Sequence, residues 1–345
     1  MSDKERPRIH HFLQVYKLDD DPTVFIGVGP EKVAIEDPTP EMERFISSLD
    51  GSMSIYELKA EFKDAEEWID TLDQLGVISD AKTLVTIDAW IAERWDRQIS
   101  HLKLYERPGW SAEKAQEKLW NSRVVIVGTG AGGTTLLRFL NAVGIGTLEA
   151  VEFDRFSFDN LATHTTLDEE DVGELKLDAL EKHLKRQNSR LKFIGHKRRI
   201  ESPEDLANVI RGADFFCPAF DRPRGKAVYW ANQASLMTGV PVGSIGVTDF
   251  GARCGPISVP GQTPCLECVG ISEQKFLLRS ERAALMGTMV ATLAGIMTQE
   301  IVKHITGAAP SKLLGTSLYI NTKELSFNFD TFDFRPDCSC SQLRV

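Results

Sequence analysis

The chain has no apolar stretch long enough to cross a bilayer. Its most apolar run, Ala283 to Thr298, falls short of the roughly 20 residues a spanning helix needs, and Thr288 and Thr292 interrupt it. That run reads as a buried or interface helix. No apolar signal core follows the polar opening from Met1 to Arg8, so the expectation is a cytosolic protein with no membrane partner. Positive charge is also short: 50 acidic residues outnumber 40 basic ones, for a net charge of -10. A nucleic-acid partner, which needs a basic face for phosphates, is not expected. Cysteine is scarce, with six in 345 residues. A disulfide framework is not expected in a cytosolic chain, and the cysteines that do pair up in sequence suggest metal. Internal repeats and low-complexity segments are absent.

What is present falls into zones. Residues 1–80 hold 19 acidic and 8 basic side chains, so the net negative charge lies in this zone and the remainder of the chain is close to neutral. His11 to Lys17 alternates like a strand, and Val24–Val28 and Lys32–Ile35 flank a Gly29-Pro30 turn as a hairpin would. Three short helices are expected next. Thr39 caps the first, with Pro40 in its opening turn and Met42, Phe45, Ile46 and Leu49 on one face. Ser54 and Glu57 have the spacing of a capping box for the second, whose stripe is Ile55, Leu58 and Phe62. Trp68, Leu72 and Leu75 mark the third. The result is a small winged-helix-like α+β domain over 1–82. Its acidity argues against the DNA binding often found in such units. Residues 83–120 read as a helical linker broken at Pro108-Gly109.

From Asn121 onward, apolar strands alternate with amphipathic helices. This predicts an α/β domain over 121–345: a Rossmann-like, mostly parallel sheet with helices on both faces. Arg123–Val127 is a buried strand followed by Gly128-Thr129-Gly130-Ala131-Gly132-Gly133 and a helix-like run, the context in which a glycine turn cradles phosphates. A tight strand-to-helix turn without a ligand has the same pattern. Glu152 closes the next strand, with Asp154 just behind it, where an acid can meet ribose hydroxyls. To this point a dinucleotide oxidoreductase stays possible.

Five further segments, in order, give a sharper reading. Arg94-Trp95-Asp96-Arg97-Gln98 resembles R-Y-x-R-Q. Glu152 to Leu161 resembles D-x-D-x(5)-N-L, and Val172-Gly173-Glu174-Leu175-Lys176 resembles V-G-x-x-K. Phe220-Asp221 precedes a basic run, and Cys265 and Cys268 form CxxC. Over roughly Ala92 to Cys340 the chain resembles the ThiF/MoeB/HesA family of ubiquitin-activating-enzyme-like adenylyltransferases. The resemblance implies that Gly128, Gly130, Gly132 and Gly133 shape a loop around ATP and that Glu152 and Asp154 lie at the ribose. It implies that Asn160 and Lys176 contact phosphates, that Asp221 holds magnesium, and that Arg97 reaches the triphosphate of a neighbouring subunit in a homodimer. Lys176 and Arg97 as plain solvated cations remain the alternative.

One departure stands out. The family reads N-L-x-R-Q where this chain has Asn160-Leu161-Ala162-Thr163-His164, so an arginine is missing at Thr163. Arg222, Arg224 or Lys226 could supply the charge. Cys338 and Cys340, as CxC, join Cys265 and Cys268 to make four thiolates in two close pairs, a donor set for structural zinc. Cys217 is expected in the core and Cys254 in a glycine-rich turn. Nothing between Val269 and Ile320 offers a thiol, so a thioester relay is not expected.

The order of a small N-terminal domain before an adenylating domain resembles the branch that matures ribosomally made peptides, such as microcin C and pantocin. The expected activity is ATP-dependent adenylation of a carboxylate on a precursor peptide gripped by the N-terminal domain, with release of pyrophosphate. A sulfur-carrier or ubiquitin-like-protein adenylyltransferase and a non-catalytic leader-peptide scaffold are the other readings.

Overall fold

In this computed structural model the described residues are 5–81, 87–107, 109–220, 222–223, 226–248, 251–271, 285–338, 340 and 343. The chain divides into two compact units, Met1–Glu117 and Lys118–Val345. The segment read as a helical linker therefore groups for the most part with the first unit.

The first unit opens with strands β1 (Pro7–Ile9), β2 (Val15–Leu18), β3 (Asp21–Ile26) and β4 (Val33–Ile35). Helices α1 (Pro40–Ser48), α2 (Ile55–Glu61) and α3 (Ala65–Gln74) follow, then strand β5 (Ile78–Asp80). Strands β2, β3 and β4 form an antiparallel meander. Strand β1 pairs with β5, setting Pro7 opposite Asp80. This long-range pair is invisible in local sequence because neither three-residue strand carries its own periodicity. The helix starts behave as the sequence predicts. The Thr39 hydroxyl accepts the Met42 N–H at 3.2 Å, and Ser54 and Glu57 complete a reciprocal capping box. Phe45, Leu58, Phe62, Ile69 and Leu72 are fully buried between sheet and helices. Leu75, expected on the buried face of α3, is 52% exposed, and Ile69 occupies that face instead. Helices α4 (Ala89–Arg94) and α5 (Asp96–Leu102) follow, and α6 (Ala112–Asn121) runs across the division between the units at Glu117.

The second unit is built on strands β6 (Arg123–Val127), β7 (Thr147–Val151), β8 (Lys192–His196), β9 (Phe215–Pro218), β10 (Val242–Thr248), β11 (Gly251–Ser258), β12 (Thr316–Asn321) and β13 (Ser326–Thr331). Its helices are α7 (Ala131–Val143), α8 (Lys176–Gln187), α9 (Pro203–Ile210), α10 (Ala227–Thr238) and α11 (Gly287–Thr306). All eight strands make one sheet in the order β13-β12-β11-β10-β9-β6-β7-β8. The five strands from β10 to β8 run parallel, and β11, β12 and β13 add antiparallel pairs at one side.

Strand alternation distributes the core over both faces. Val124 and Ile126 point to a layer with Leu136 and Leu140 of α7, Leu180 of α8 and Met297 of α11. Val125 and Val127 point to the opposite layer with Leu206 of α9 and Ala231 of α10. Each fully buried leucine or phenylalanine contributes roughly 1.5–3 kcal/mol. Helix α11 begins at Gly287 and buries Val290, Leu293, Met297 and Ile301 in its own unit, so one face of the expected interface helix is core. Cys217 is core on β9, as expected. Cys254 is not in a turn but inside β11, fully buried. No helix among the described residues is long and apolar enough to cross a membrane.

Candidate functional site

The strand order reverses at β6, whose neighbours β7 and β9 lead away in opposite directions. In open parallel sheets, the carboxyl ends of strands at such a point form a crevice for ligands. The glycine turn sits there. Gly128 has φ +92°, and a side chain on it would meet the Ala219 carbonyl oxygen at 2.5 Å. A side chain on Gly133 would meet the Gly128 carbonyl at 2.0 Å, so the helix can lie this close to the strand only without one. Around Gly130, no heavy atom of the described residues outside its own turn lies within 4 Å of a would-be Cβ. Gly130 is also the N-cap of α7 and supplies no side-chain acceptor. The first turn of α7 therefore presents N–H groups and a positive dipole end to open space, which suits a phosphate. Gly132 serves packing, with Ile245 and Val290 closest to it.

Glu152, at the end of β7, is 8% exposed. One carboxylate oxygen accepts the Thr129 N–H at 2.9 Å and the Thr129 hydroxyl at 3.1 Å. The other accepts the N–H groups of Phe153 at 2.8 Å and Asp154 at 3.1 Å. Burial pushes this carboxyl up. The Thr129, Asp154 and Phe153 N–H groups and the Lys176 cation outweigh that effect and hold its pKa below the ordinary 4.5. A carboxylate has about four acceptor positions. All of them are engaged within the protein, so Glu152 ties the second strand to the glycine turn. Asp154 is exposed at the same edge, and its carbonyl accepts the Lys176 N–H at 3.1 Å.

Lys176 opens α8, another helix without a side-chain cap. It is only 8% exposed, and among the described residues its ammonium has no hydrogen-bonding partner. A buried cation in that condition beside an uncapped helix start invites an anion. Asn160 ends a 3-10 turn over Phe158–Asn160, and its side-chain carbonyl accepts the Ser157 N–H at 3.3 Å. Its backbone carbonyl accepts the N–H groups of Thr163 and His164, each at 3.0 Å, and the Thr163 hydroxyl at 3.1 Å. Thr163 is thus turned back on its own loop.

Sequence reading passed over His164. Its Nδ1 lies 3.3 Å from the Thr134 hydroxyl in the first turn of α7, and its ring meets Phe156 edge-on at 5.0 Å. Burial, then the Lys176 cation, push the imidazole down to about 4 against the opposing pull of Glu152. The only sequence signal was its place beside the missing arginine. The structure thus gathers the glycine turn, Glu152, Asp154, Asn160 and Lys176 at one crevice and adds Thr129, Thr134 and His164. Arg97 is exposed on α5 of the first unit. Asp221 and Arg224 lie outside the described residues, immediately beyond Phe220 and cis Arg222-Pro223 in sequence.

The four cysteines converge far from one another in sequence. Sγ of Cys265 lies 3.4 Å from that of Cys338 and 4.0 Å from that of Cys268, and Cys268 lies 3.5 Å from Cys340. All four sulfur atoms fall within 4.8 Å of each other. Tetrahedral zinc with Zn–S bonds of about 2.3 Å sets sulfur atoms about 3.8 Å apart, so this donor set fits such an ion. The Arg335 N–H donates to Sγ of Cys268 at 3.4 Å, as an amide does to a ligating thiolate. The shorter CxC pair is accommodated without separating the sulfurs. Asp168, Asp171 and His183 also bring ligand atoms within 4.8 Å. There, Asp171 accepts the Asp168 N–H and pairs with His183, each at 2.8 Å, which caps a 3-10 turn over Glu169–Asp171.

Comparison with known proteins agrees with this architecture. The chain is 27% identical over 255 residues to the sulfur carrier protein adenylyltransferase of Thermus thermophilus, covering 72% of this chain and 91% of that protein. It is 26% identical over 220 residues to the adenylyltransferase and sulfurtransferase MOCS3 of Caenorhabditis briggsae, covering 61% of this chain but only 52% of that longer protein. Its fold is similar to that of Escherichia coli MccB, crystallised with MccA-N7isoASN, with a TM-score of 0.82 at 20% identity over 97% of this chain and 99% of MccB. The ThiF family model matches residues 96–342, well over half of the sequence, and the chain belongs to the ThiF family.

Proposed function

We propose that this protein is an ATP-dependent adenylyltransferase that activates a carboxylate on a ribosomally made precursor peptide. The observation that carries the adenylation reading is the crevice itself. There, at the strand-order reversal, lie an uncapped α7 start, an unobstructed Gly130 and a buried Lys176 whose ammonium has no hydrogen-bonding partner among the described residues. The carboxylate oxygen attacks the α-phosphorus of ATP, the bond to the bridging oxygen breaks, and pyrophosphate leaves. Lys176 offsets the charge that grows on the leaving group, while the α7 N–H groups hold the phosphates in line. Asn160 directs its side-chain amide to the phosphates. With Glu152 saturated, the ribose falls to Asp154. Asp221 would hold magnesium, which supplies further charge neutralisation when bound. The cysteine quartet would hold zinc as a closed structural site with no open position for chemistry.

The peptide part rests on different support. MccB, whose fold this chain shares, has been crystallised with N-formylated MccA, and separately with ATP. Residues 1–82 would be the leader-gripping domain, 83–120 a helical linker and 121–345 the adenylating domain. An exposed sheet edge can take a peptide strand by backbone pairing. Arg97 would serve a partner subunit in a homodimer. A sulfur-carrier protein as substrate is the second reading, favoured by the names of the sequence relatives.

The test is nucleotide turnover. Lys176→Met and Asp221→Ala should each abolish pyrophosphate release while leaving the protein folded and peptide binding intact. Turnover that survives Lys176→Met removes the phosphate assignment. Pyrophosphate exchange driven by a Gly-Gly-ended carrier protein, and by no peptide, selects the second reading.

A further inference from the structure

The loop from Asn160 to Thr165 is fastened to the first turn of α7 at two adjacent points. The Thr134 hydroxyl lies 2.6 Å from the Gly130 carbonyl and 3.3 Å from Nδ1 of His164. The Thr135 hydroxyl lies 2.8 Å from the Ala131 carbonyl and 2.9 Å from the Thr165 hydroxyl. Each helix hydroxyl has a single proton, and a carbonyl can only accept. At each hydroxyl the carbonyl contact is the shorter one, which places the proton there and leaves the oxygen to accept from the loop. On that arrangement Thr165 donates through its O–H and His164 through Nδ1–H.

That assignment has a consequence for the ring. A neutral imidazole with its proton on Nδ1 has a bare Nε2, an acceptor. The neutral form is the one favoured by burial and by Lys176 nearby. The backbone N–H of His164 meanwhile closes on the carbonyl of Asn160 at 3.0 Å. The residue therefore joins two parts of the crevice: the phosphate-facing turn on one side and Asn160 on the other. Gly287, at the start of α11, backs the same loop, since a side chain there would meet the Thr163 carbonyl oxygen at 3.1 Å.

We infer that His164 is a positioning residue of the nucleotide site: its Nδ1–H braces the Asn160 loop against the first turn of α7, so that Asn160 and the α7 N–H groups meet one triphosphate together. Residues 160–165 carry no formal charge, so the fastening of this loop to α7 rests on the His164 and Thr165 contacts. This rests on the crevice binding ATP, as proposed above.

The variants separate the clasp from bulk. Asparagine places an amide N–H where Nδ1–H stands, whereas glutamine places it near Nε2. For the full-length protein, MgATP affinity by calorimetry should fall about tenfold in His164→Ala and in His164→Gln, the scale of one lost buried hydrogen bond. His164→Asn should stay within about threefold of the parent. Thr134→Val should match the alanine variant, and the double variant should lose no more than either single one. Nitrogen NMR of histidine-labelled protein should report the Nδ1–H tautomer at His164. An Nε2–H tautomer, or unaltered MgATP affinity in His164→Ala beside a parent that binds, overturns the inference alone. A parent that binds no MgATP overturns the adenylation reading, and the nucleotide role of His164 falls with it.

Discussion

Glu152 is a buried carboxylate at the end of β7, held in place by backbone and hydroxyl donors. Its position at the end of the second parallel strand was evident from spacing, but its four hydrogen bonds run to Thr129, Phe153 and Asp154. Such saturation makes it a stability residue. Its pKa is depressed in the folded state, so its contribution is complete above the unfolded value and is lost as pH falls through the folded one. Glu152→Gln keeps the shape but turns an NH2 group toward N–H donors. We expect a loss of about 1–3 kcal/mol at neutral pH by urea unfolding. The gap to the parent should narrow below about pH 4. An equal gap at both pH values would show that the carboxylate charge contributes nothing there.

At the scale of elements, the informative pieces are those whose ends are fixed by a partner. Helix α2 has both halves of its capping box, so Ser54→Ala should lower stability by about 1 kcal/mol in thermal or urea unfolding. Helix α7 has the opposite design, a bare start that depends on glycine. Gly133→Ala would press a methyl group onto the Gly128 carbonyl at 2.0 Å. The turn would have to open, and MgATP binding should be lost along with several degrees of Tm. The segment carrying Cys338 and Cys340 is held against Cys265 and Cys268. Cys265→Ser should reduce bound zinc, counted by elemental analysis, well below one per chain. It should also raise hydrogen exchange in residues 332–338. Full zinc occupancy in that variant would remove Cys265 from the ligand set.

Across the whole molecule, charge and chemistry are divided between the two units. All of the excess negative charge belongs to residues 1–80, the rest of the chain being close to neutral, and the crevice belongs to the second unit. If the first grips a peptide and the second binds ATP, the two activities should be separable. Removing residues 1–82 should weaken precursor-peptide binding by at least about tenfold while MgATP affinity changes by less than about threefold. Peptide binding should also weaken with added salt if basic leader residues meet this acidic unit. Undiminished peptide affinity in the truncated protein, once circular dichroism shows it folded, would end the leader-domain reading.

The sequence by itself determined the parts that are local. Alternating and 3.6-residue apolar patterns, the Thr39 and Ser54 caps and the strand–glycine–helix context identified the α/β class, the three N-terminal helices and the glycine turn between β6 and α7, because short-range sterics and hydrogen bonding fix those features. Only the tertiary structure decided what depends on distant segments meeting. It paired Pro7–Ile9 with Ile78–Asp80, turned Leu75 outward, set Cys254 inside a strand and brought four sulfur atoms within 4.8 Å. It also set His164 against Thr134, a contact across 30 positions that no local pattern encodes. The physical reason is the same throughout: backbone preference acts between neighbours, whereas burial and hydrogen-bond satisfaction are settled only when the chain has closed on itself.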